Sequence, residues 1–397
     1  MDAGTNFLRK WIVPAALSAV ALASVSYAVI TAPYQGKDLA CFHRGAQDWV
    51  TGAYRFGEGP MPLYPPFALP VFSPLAAIPM NPLVFVWVLL NLATTGAVLY
   101  LAGRLFGEGW AIRERFYLSV LLLSWAPFRV TLRVGQISLM ITALLLGTLV
   151  ARQNKKHLLA GVLLGLSLCK YSMALPFLLY FAWKRDWKTV AVALLIPAAL
   201  TVVFSLRLGL SPIDAVGDYL RVVSQVQAAG VSGWTGTTEM KMLFFSLTGS
   251  DEGLTAVLTI LLGVAGLTAM AVAFTRTPEF WRLHVAALSL FALWSSYHRT
   301  YDAVLCIVPA AVLIEFVRQG SHVDLGRIGL GGLALFSFGV PGLLTDRLGL
   351  SESRLSASLF GSLGLHVERL VVFGLFCALI AVAWNAYPKR ATPRGSA

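Results

Sequence analysis

Apolar runs of about twenty residues recur from one end of this 397-residue chain to the other, and most connections between them are short. Wound as a helix, such a run matches the hydrocarbon thickness of a bilayer. Lipid admits only backbones that satisfy their own polar groups, so a chain built of these runs must be helical. Reading them off gives twelve spans, at 11–33, 82–103, 115–132, 135–151, 158–170, 173–184, 187–206, 253–275, 282–297, 301–317, 325–345 and 367–386. Charge is used sparingly, at 13% of residues against about 25% in soluble domains. The expected fold class is an all-α polytopic membrane protein, a single unit over 1–397 with no soluble domain. The first run is too long for a signal-peptide core and carries no small-residue cleavage site, so it is read as retained.

The charges that remain set the orientation. With Arg9 and Lys10 on the cytoplasmic side, the internal connections are Arg104/Arg113/Arg115, Arg152/Lys155/Lys156, Lys184/Arg185/Lys188, Arg276/Arg282, Arg318/Arg327 and the tail Lys389/Arg390/Arg394. All of them are basic, as the positive-inside rule requires. That rule also accounts for the net charge of +12 without invoking nucleic acid, since no basic domain is present to hold it. Both termini are then cytoplasmic. Every segment dense in polar groups falls outside: 34–80, Arg133/Gln136, Lys170, 207–252 and His298 to Asp302. One outward-facing site is the expectation.

Two segments depart from simple crossing, and one long external loop carries a helix signal. Between 158 and 184 the chain has basic connections at both ends, so it must go out and return in about 26 residues. Each leg then rises only about 20 Å, and the turn "CKYSMALP" sits at membrane depth, where irregular backbone must lie beside protein or water. Seven prolines fall within residues 61–82, which makes that apolar stretch re-entrant or interfacial. In the loop 207–252, Ser211, Pro212 and Asp214 read as N-cap, first helical position and capping box. Ile213, Val216, Leu220 and Val223 then form an apolar stripe of a helix lying on the membrane or over a cavity.

The stretch Gly36–Val50, "GKDLACFHRGAQDWV", concentrates charge directly after the first span. A helix from Asp38 aligns Asp38, Phe42, Gly45 and Trp49 on one face, and Arg44, Asp48 and Arg55 on another. Asp38, partly desolvated beside apolar groups, suits a general base. Asp48 reads as a solvated partner of Arg44, a secondary candidate, and His43 as a surface histidine. Arg133 can match phosphate oxygens in pairs, with Gln136 beside it. Lys170, within the membrane turn, is a functional candidate by its depth. "SSYHRTYD" (295–302) sets His298, Arg299, Tyr301 and Asp302 at an outer junction, as an ion cluster or an anion cradle. "SGWTGTTEMKM" (232–242) offers Trp234 and Lys241, tryptophan being a good surface for sugar rings. There is no dinucleotide fingerprint, P-loop, Asp-x-Asp or HExxH. The four cysteines show no metal spacing, and no cofactor or metal is implied.

Taken together, "DLACFHRGAQDWVTGAYRF", "LYPPFALPVFSPLAAIPMNPLVFVWVLLNL", "RVGQISLMITALLLG", "LAGVLLGLSLCKYSMALPFLLYFAWKRDW" and "SSYHRTYD" resemble glycosyltransferase family 87. Its members are polyprenyl-phosphate-mannose-dependent mannosyltransferases of the GT-C superfamily. The likeness covers roughly 11–315, and the late junction lacks the tandem histidines of many members. It implies a GT-C-type fold in the cell membrane with the active site outside. It also implies transfer of a hexose, mannose by analogy, from a polyprenyl-phosphate donor to a lipid or glycan acceptor, with inversion. Asp38 takes the position of the family's catalytic aspartate. Arg133, Lys170, His298 and Arg299 are then candidates for the donor phosphate. Tyr64, Gln136, Trp234, Lys241, Tyr301 and Asp302 are candidates for substrate contact. The rival expectation is a lipid or solute transporter using the same charges, though the matching broken helices of a repeated transporter are found only once.

Overall fold

A computed structural model of the chain describes residues 13–58, 64–228, 237–248, 251–337 and 359–385. The helices are α1 (Val13–Gln35), α2 (Lys37–Thr51), α3 (Ala68–Phe72), α4 (Met80–Phe106), α5 (Ile112–Ser124), α6 (Ala126–Val134), α7 (Ser138–Gln153) and α8 (His157–Ser167). They continue with α9 (Tyr171–Trp183), α10 (Trp187–Leu208), α11 (Pro212–Ala228), α12 (Lys241–Leu247), α13 (Glu252–Arg276), α14 (Trp281–Ser295), α15 (Ile307–Gln319), α16 (Val323–Ala334) and α17 (Leu359–Asn385). Among the described residues the sole β contact is an isolated bridge between Thr237 and Arg299. The protein is an all-helical, multi-pass membrane protein.

Among the described residues, seven helical stretches are long and apolar enough to cross a membrane, or eight if the bent pair α6–α7 forms one span. The twelve spans expected are not all of that kind. α5, α14 and α16 have 13, 15 and 12 residues, too few to cross alone, whereas the span expected at 301–317 is present as Thr300–Gln319. The span expected at 115–132 is interrupted at Trp125, where extended backbone (ψ 141°) separates α5 from α6. Part of the span expected at 325–345 lies outside the described residues.

The contacts fall into two compact units, one of residues 1–101 and 128–233, the other of 102–127 and 234–397. In the first unit, His157–Trp183 has the length of a membrane span, yet its two ends meet. Asp186, three residues past the end, accepts from His157 at 2.8 Å and pairs with Arg152. Thr189 donates to Asp186 at 2.8 Å. A straight helix of that length would hold its ends about 40 Å apart, so the chain reverses inside it, at the 3-10 turn Leu168–Lys170. The there-and-back hairpin expected from the basic connections is present.

α8 then lies parallel to α10 at close range. A Cβ on Gly161 would stand 2.5 Å from that of Val192, and one on Gly165 would stand 2.8 Å from that of Ile196. Small residues four apart permit this approach of two helices in lipid.

α2, α3 and the 3-10 turn Ser73–Ala77 pack together in this unit. Phe42 on α2 is in ring contact with Tyr64 (4.9 Å), Phe72 (5.0 Å) and Trp87 (6.4 Å). Proline-rich residues 64–79 thus fold as short helical pieces held by aromatic packing. α11 carries the expected capping box, with the Asp214 N–H donating to Ser211 Oγ at 3.1 Å and the Ser211 hydroxyl donating back to the Asp214 carboxylate at 2.7 Å. Its Ala215 and Tyr219 are buried, Ala215 among Trp49, Tyr54, Leu69 and Phe204. Ile213, Val216 and Leu220 of the apolar stripe face outward.

In the second unit, residues 283–294 of α14 are buried without a break, as expected of a helix apolar on all sides. Trp294 packs against Phe291, Phe373 and Phe376, and a Cβ on Gly266 would meet its ring at 2.8 Å. Glu315 closes one end of this unit, accepting from Trp110 Nε1 at 2.6 Å and from both arms of Arg318.

Candidate active site

In the first unit, three segments distant in sequence converge on one amide. α2 begins one residue after α1, and Asp38 lies in its first turn, where the helix dipole favours a negative charge. Leu39 packs on Gly135, which has φ +77° and stands so close that a Cβ there would reach Leu39 Cβ at 2.5 Å. That glycine makes the 115° bend between α6 and α7 and delivers Gln136 to Asp38. Gln136 Nε2 donates to Asp38 Oδ2 at 2.7 Å. Gln136 Oε1 accepts from the Tyr64 hydroxyl at 2.8 Å, from Lys170 Nζ at 3.2 Å and from the Ile137 N–H at 3.2 Å. Lys170 also donates to Ser138 Oγ at 2.9 Å.

The amide and the ammonium are buried. Gln136 is 4% exposed and Lys170 9% exposed, while Asp38 and Tyr64 are half-buried. Asp38 makes no ion pair among the described residues, and its link to Lys170 runs through the amide. Lys170 sits thirteen residues along the hairpin from His157, about 20 Å from the basic end.

Other candidates fall around it. Arg133, half-buried and three residues before Gln136, holds its guanidinium 5.2 Å from the centre of the Tyr27 ring. One turn earlier, Arg129 donates to Ser24 Oγ at 3.3 Å. Asp48 pairs with Arg44 at 3.8 Å on the open face of α2, and its backbone carbonyl accepts from Ala53 and Tyr54 where the helix ends. Arg55 therefore lies past the helix and not on its second face. His43, expected at the surface, is buried instead, with Nε2 2.9 Å from the Ile78 carbonyl oxygen; the returning proline-rich segment covers it. The Cys41 thiol is pushed up from its ordinary pKa, first by burial and then by the charge of Asp38.

The second unit holds its own polar cluster. His298 is fully buried, its Nδ1 3.0 Å from Asp302 Oδ2 and its Nε2 3.2 Å from Ser296 Oγ. Its carbonyl accepts the Thr238 N–H at 2.9 Å. Arg299 is exposed and donates to the Tyr297 hydroxyl at 2.7 Å; Tyr301 is half-buried and Lys241 exposed. Trp234 lies outside the described residues. Sequence reading did not single out Glu239, His366, Glu368 and Arg369, all buried here. Arg369 bonds His366 and donates to Thr237 at 2.6 Å, and Thr300 donates to Glu368 at 3.3 Å. Burial raises the Glu239 carboxyl above its usual range against the pull of Lys241, His298 and Arg369. The signal was present in "HVER", an ionisable run at the head of an otherwise apolar span. Among the described residues, no group of His, Cys, Asp and Glu could hold a metal ion.

A carboxylate, an amide and a lysine are thus gathered inside a multi-pass helical membrane protein. The chain belongs to glycosyltransferase family 87, whose sequence signature matches residues 63–296. That segment holds Tyr64, Arg133, Gln136, Lys170, Trp234 and Lys241, whereas Asp38 and residues 298–302 flank it. The chain is also similar to the polyprenol-phosphate-mannose-dependent alpha-(1-2)-phosphatidylinositol pentamannoside mannosyltransferase of Mycolicibacterium smegmatis. The two are 26% identical over 292 residues, which cover 72% of this chain and 69% of that protein. The family is therefore mannosyltransferase-like, and the protein a membrane glycosyltransferase.

Proposed function

We propose that the protein transfers a mannosyl residue from a polyprenyl-phosphate-linked donor to a hydroxyl of a lipid or glycan acceptor, on the extracytoplasmic side and with inversion. The observation that carries this reading is the Asp38–Gln136–Lys170 arrangement, a carboxylate and a cation bound to the same buried amide. Asp38 takes the proton of the acceptor hydroxyl while that oxygen bonds to the anomeric carbon. The bond from that carbon to the phosphate oxygen breaks, and polyprenyl phosphate leaves with the electron pair. A phosphate leaves as an anion, so it needs positive charge rather than a general acid, and fixed charge in a dry site stabilises it strongly.

Lys170 and Arg133 supply that charge in the first unit. His298 and Arg299 are proposed as anion-binding groups of the second unit, and Tyr64, Trp234, Lys241, Tyr301 and Asp302 as substrate contacts. The mannosyl donor named for the mycobacterial relative supports this choice of sugar.

The test is transfer from radiolabelled polyprenyl-phosphate-mannose by purified wild type, Asp38→Asn and Asp48→Asn. Loss of the base lowers the rate about a hundredfold or more, whereas Asp48→Asn stays close to wild type. Normal transfer by a folded Asp38→Asn would remove Asp38 from the chemistry. If the wild type transfers none of several polyprenyl-linked sugars but moves labelled lipid across vesicles, the protein is a transporter.

A further inference from the structure

We infer that Gln136 is the positioning residue of this site, an amide held in one orientation that aims the Asp38 carboxylate and keeps Lys170 one bond away from it. The inference rests on the function proposed above and reassigns Gln136 from a substrate contact to a part of the base.

The orientation of the amide follows from its neighbours. Three groups approach Oε1: the Lys170 ammonium and the Ile137 backbone N–H, which can only donate, and the Tyr64 hydroxyl. An amide nitrogen in that place would face two obligatory donors. The oxygen must therefore point there, and the N–H₂ must point at Asp38 Oδ2, 2.7 Å away. A carboxylate that accepts from this donor is fixed in direction, and Oδ1 has no protein partner among the described residues. That oxygen is the one placed to receive a proton.

The same amide keeps the two charges apart. Lys170 leans on Gln136 and on Ser138. A direct carboxylate–ammonium pair would occupy the base and neutralise the cation that the leaving phosphate needs. Through the amide, each polarises the other without a direct carboxylate–ammonium contact. Local structure serves this placement: the positive φ of Gly135 and its contact with Leu39 fix Gln136 relative to the first turn of α2.

The experiment measures kcat and KM against pH for transfer from polyprenyl-phosphate-mannose, with wild type, Gln136→Met, Gln136→Glu and Asp38→Asn. Size-exclusion profile and melting temperature in detergent check folding, and Gln136→Glu keeps the shape of the side chain should Gln136→Met fail. The expected result for Gln136→Met is a kcat lower by about ten- to a hundredfold, the loss of one hydrogen bond to a charged group, with KM for both substrates little changed. Gln136→Glu sets a second carboxyl against Asp38, so the acid limb of its pH profile moves to higher pH and activity recovers as pH rises.

Raised KM with an unmoved acid limb would make Gln136 a substrate contact and overturn the inference. So would unchanged kcat and pH profile in both folded variants. If Asp38→Asn itself transfers normally, the proposed function fails first; if Asp38→Asn is inactive while the Gln136 variants behave as wild type, only this inference fails.

Discussion

Asp38 can be followed without measuring turnover, because Cys41 lies one turn along the same helix and responds to its charge. Burial and then the Asp38 carboxylate hold that thiol above its ordinary pKa. Asp38→Asn removes the second cause, so more of the thiol is thiolate at a given pH and Cys41 alkylates faster. The rate of maleimide labelling near pH 8, with Cys41→Ser as the control, reports this. An unchanged rate would mean that Asp38 does not sit ionised beside Cys41. At this scale the sequence was informative wherever one helical face decided the matter: Asp38 and Asp48 part company through spacing alone. It was silent on Gln136 as a hub, since its partners lie 98, 72 and 34 positions away and meet only through tertiary packing. Buried His43 was misread for the same reason, its cover arriving from Ile78.

Among the elements, the hairpin α8–α9 owes its shape to the clamp at its base. Burial alone would raise the Asp186 carboxyl. The hydrogen bonds from Thr189 and His157 and the charge of Arg152 outweigh burial, and hold it below its usual range. A carboxyl depressed in the folded state stabilises it fully above the ordinary value of about 4, and that contribution is lost as pH falls through the lower, folded value. The melting temperature of the detergent-solubilised protein should therefore drop as pH falls below about 4. Asp186→Asn should melt lower at neutral pH and lose that acid-dependent part of the drop. Equal melting of the two proteins at pH 7 would show the clamp to be idle. This hairpin was legible in the sequence because two basic connections with too few residues between them leave one solution. The capping box of α11 was legible as a local signal, from Ser211 to Asp214.

For the molecule as a whole, the reversal inside His157–Trp183 fixes which connections share a side. Single cysteines introduced at Lys155 and Lys188, both exposed, should react with the same membrane-impermeant thiol reagent from the same side of sealed vesicles. A cysteine replacing Asp38 should label from the opposite side. Labelling of 155 and 188 from opposite sides would mean that the stretch crosses after all. The helical, multi-pass nature of the chain was plain from apolar runs, but the number of crossings was not. Hydropathy measures how greasy a segment is, not whether it continues through. α5, α14 and α16 are apolar and short, and only their neighbours define their paths. The cluster of Glu239, His298, Glu368 and Arg369 in the second unit likewise draws on three separate stretches of chain.

The parallel pair α8 and α10 has a consequence of its own. Both start from the clamped basic end, yet α8 stops at Ser167, two residues past the Gly165–Ile196 contact, while α10 runs on to Leu208, an overhang of about 15 Å. Lys170 therefore stands on a ledge whose level is set by subtraction, one helix length from another. Exchange of side chains leaves that level untouched. A single inserted turn in α8 would lift the ledge by about 5.4 Å and carry the lysine away from the carboxylate it serves.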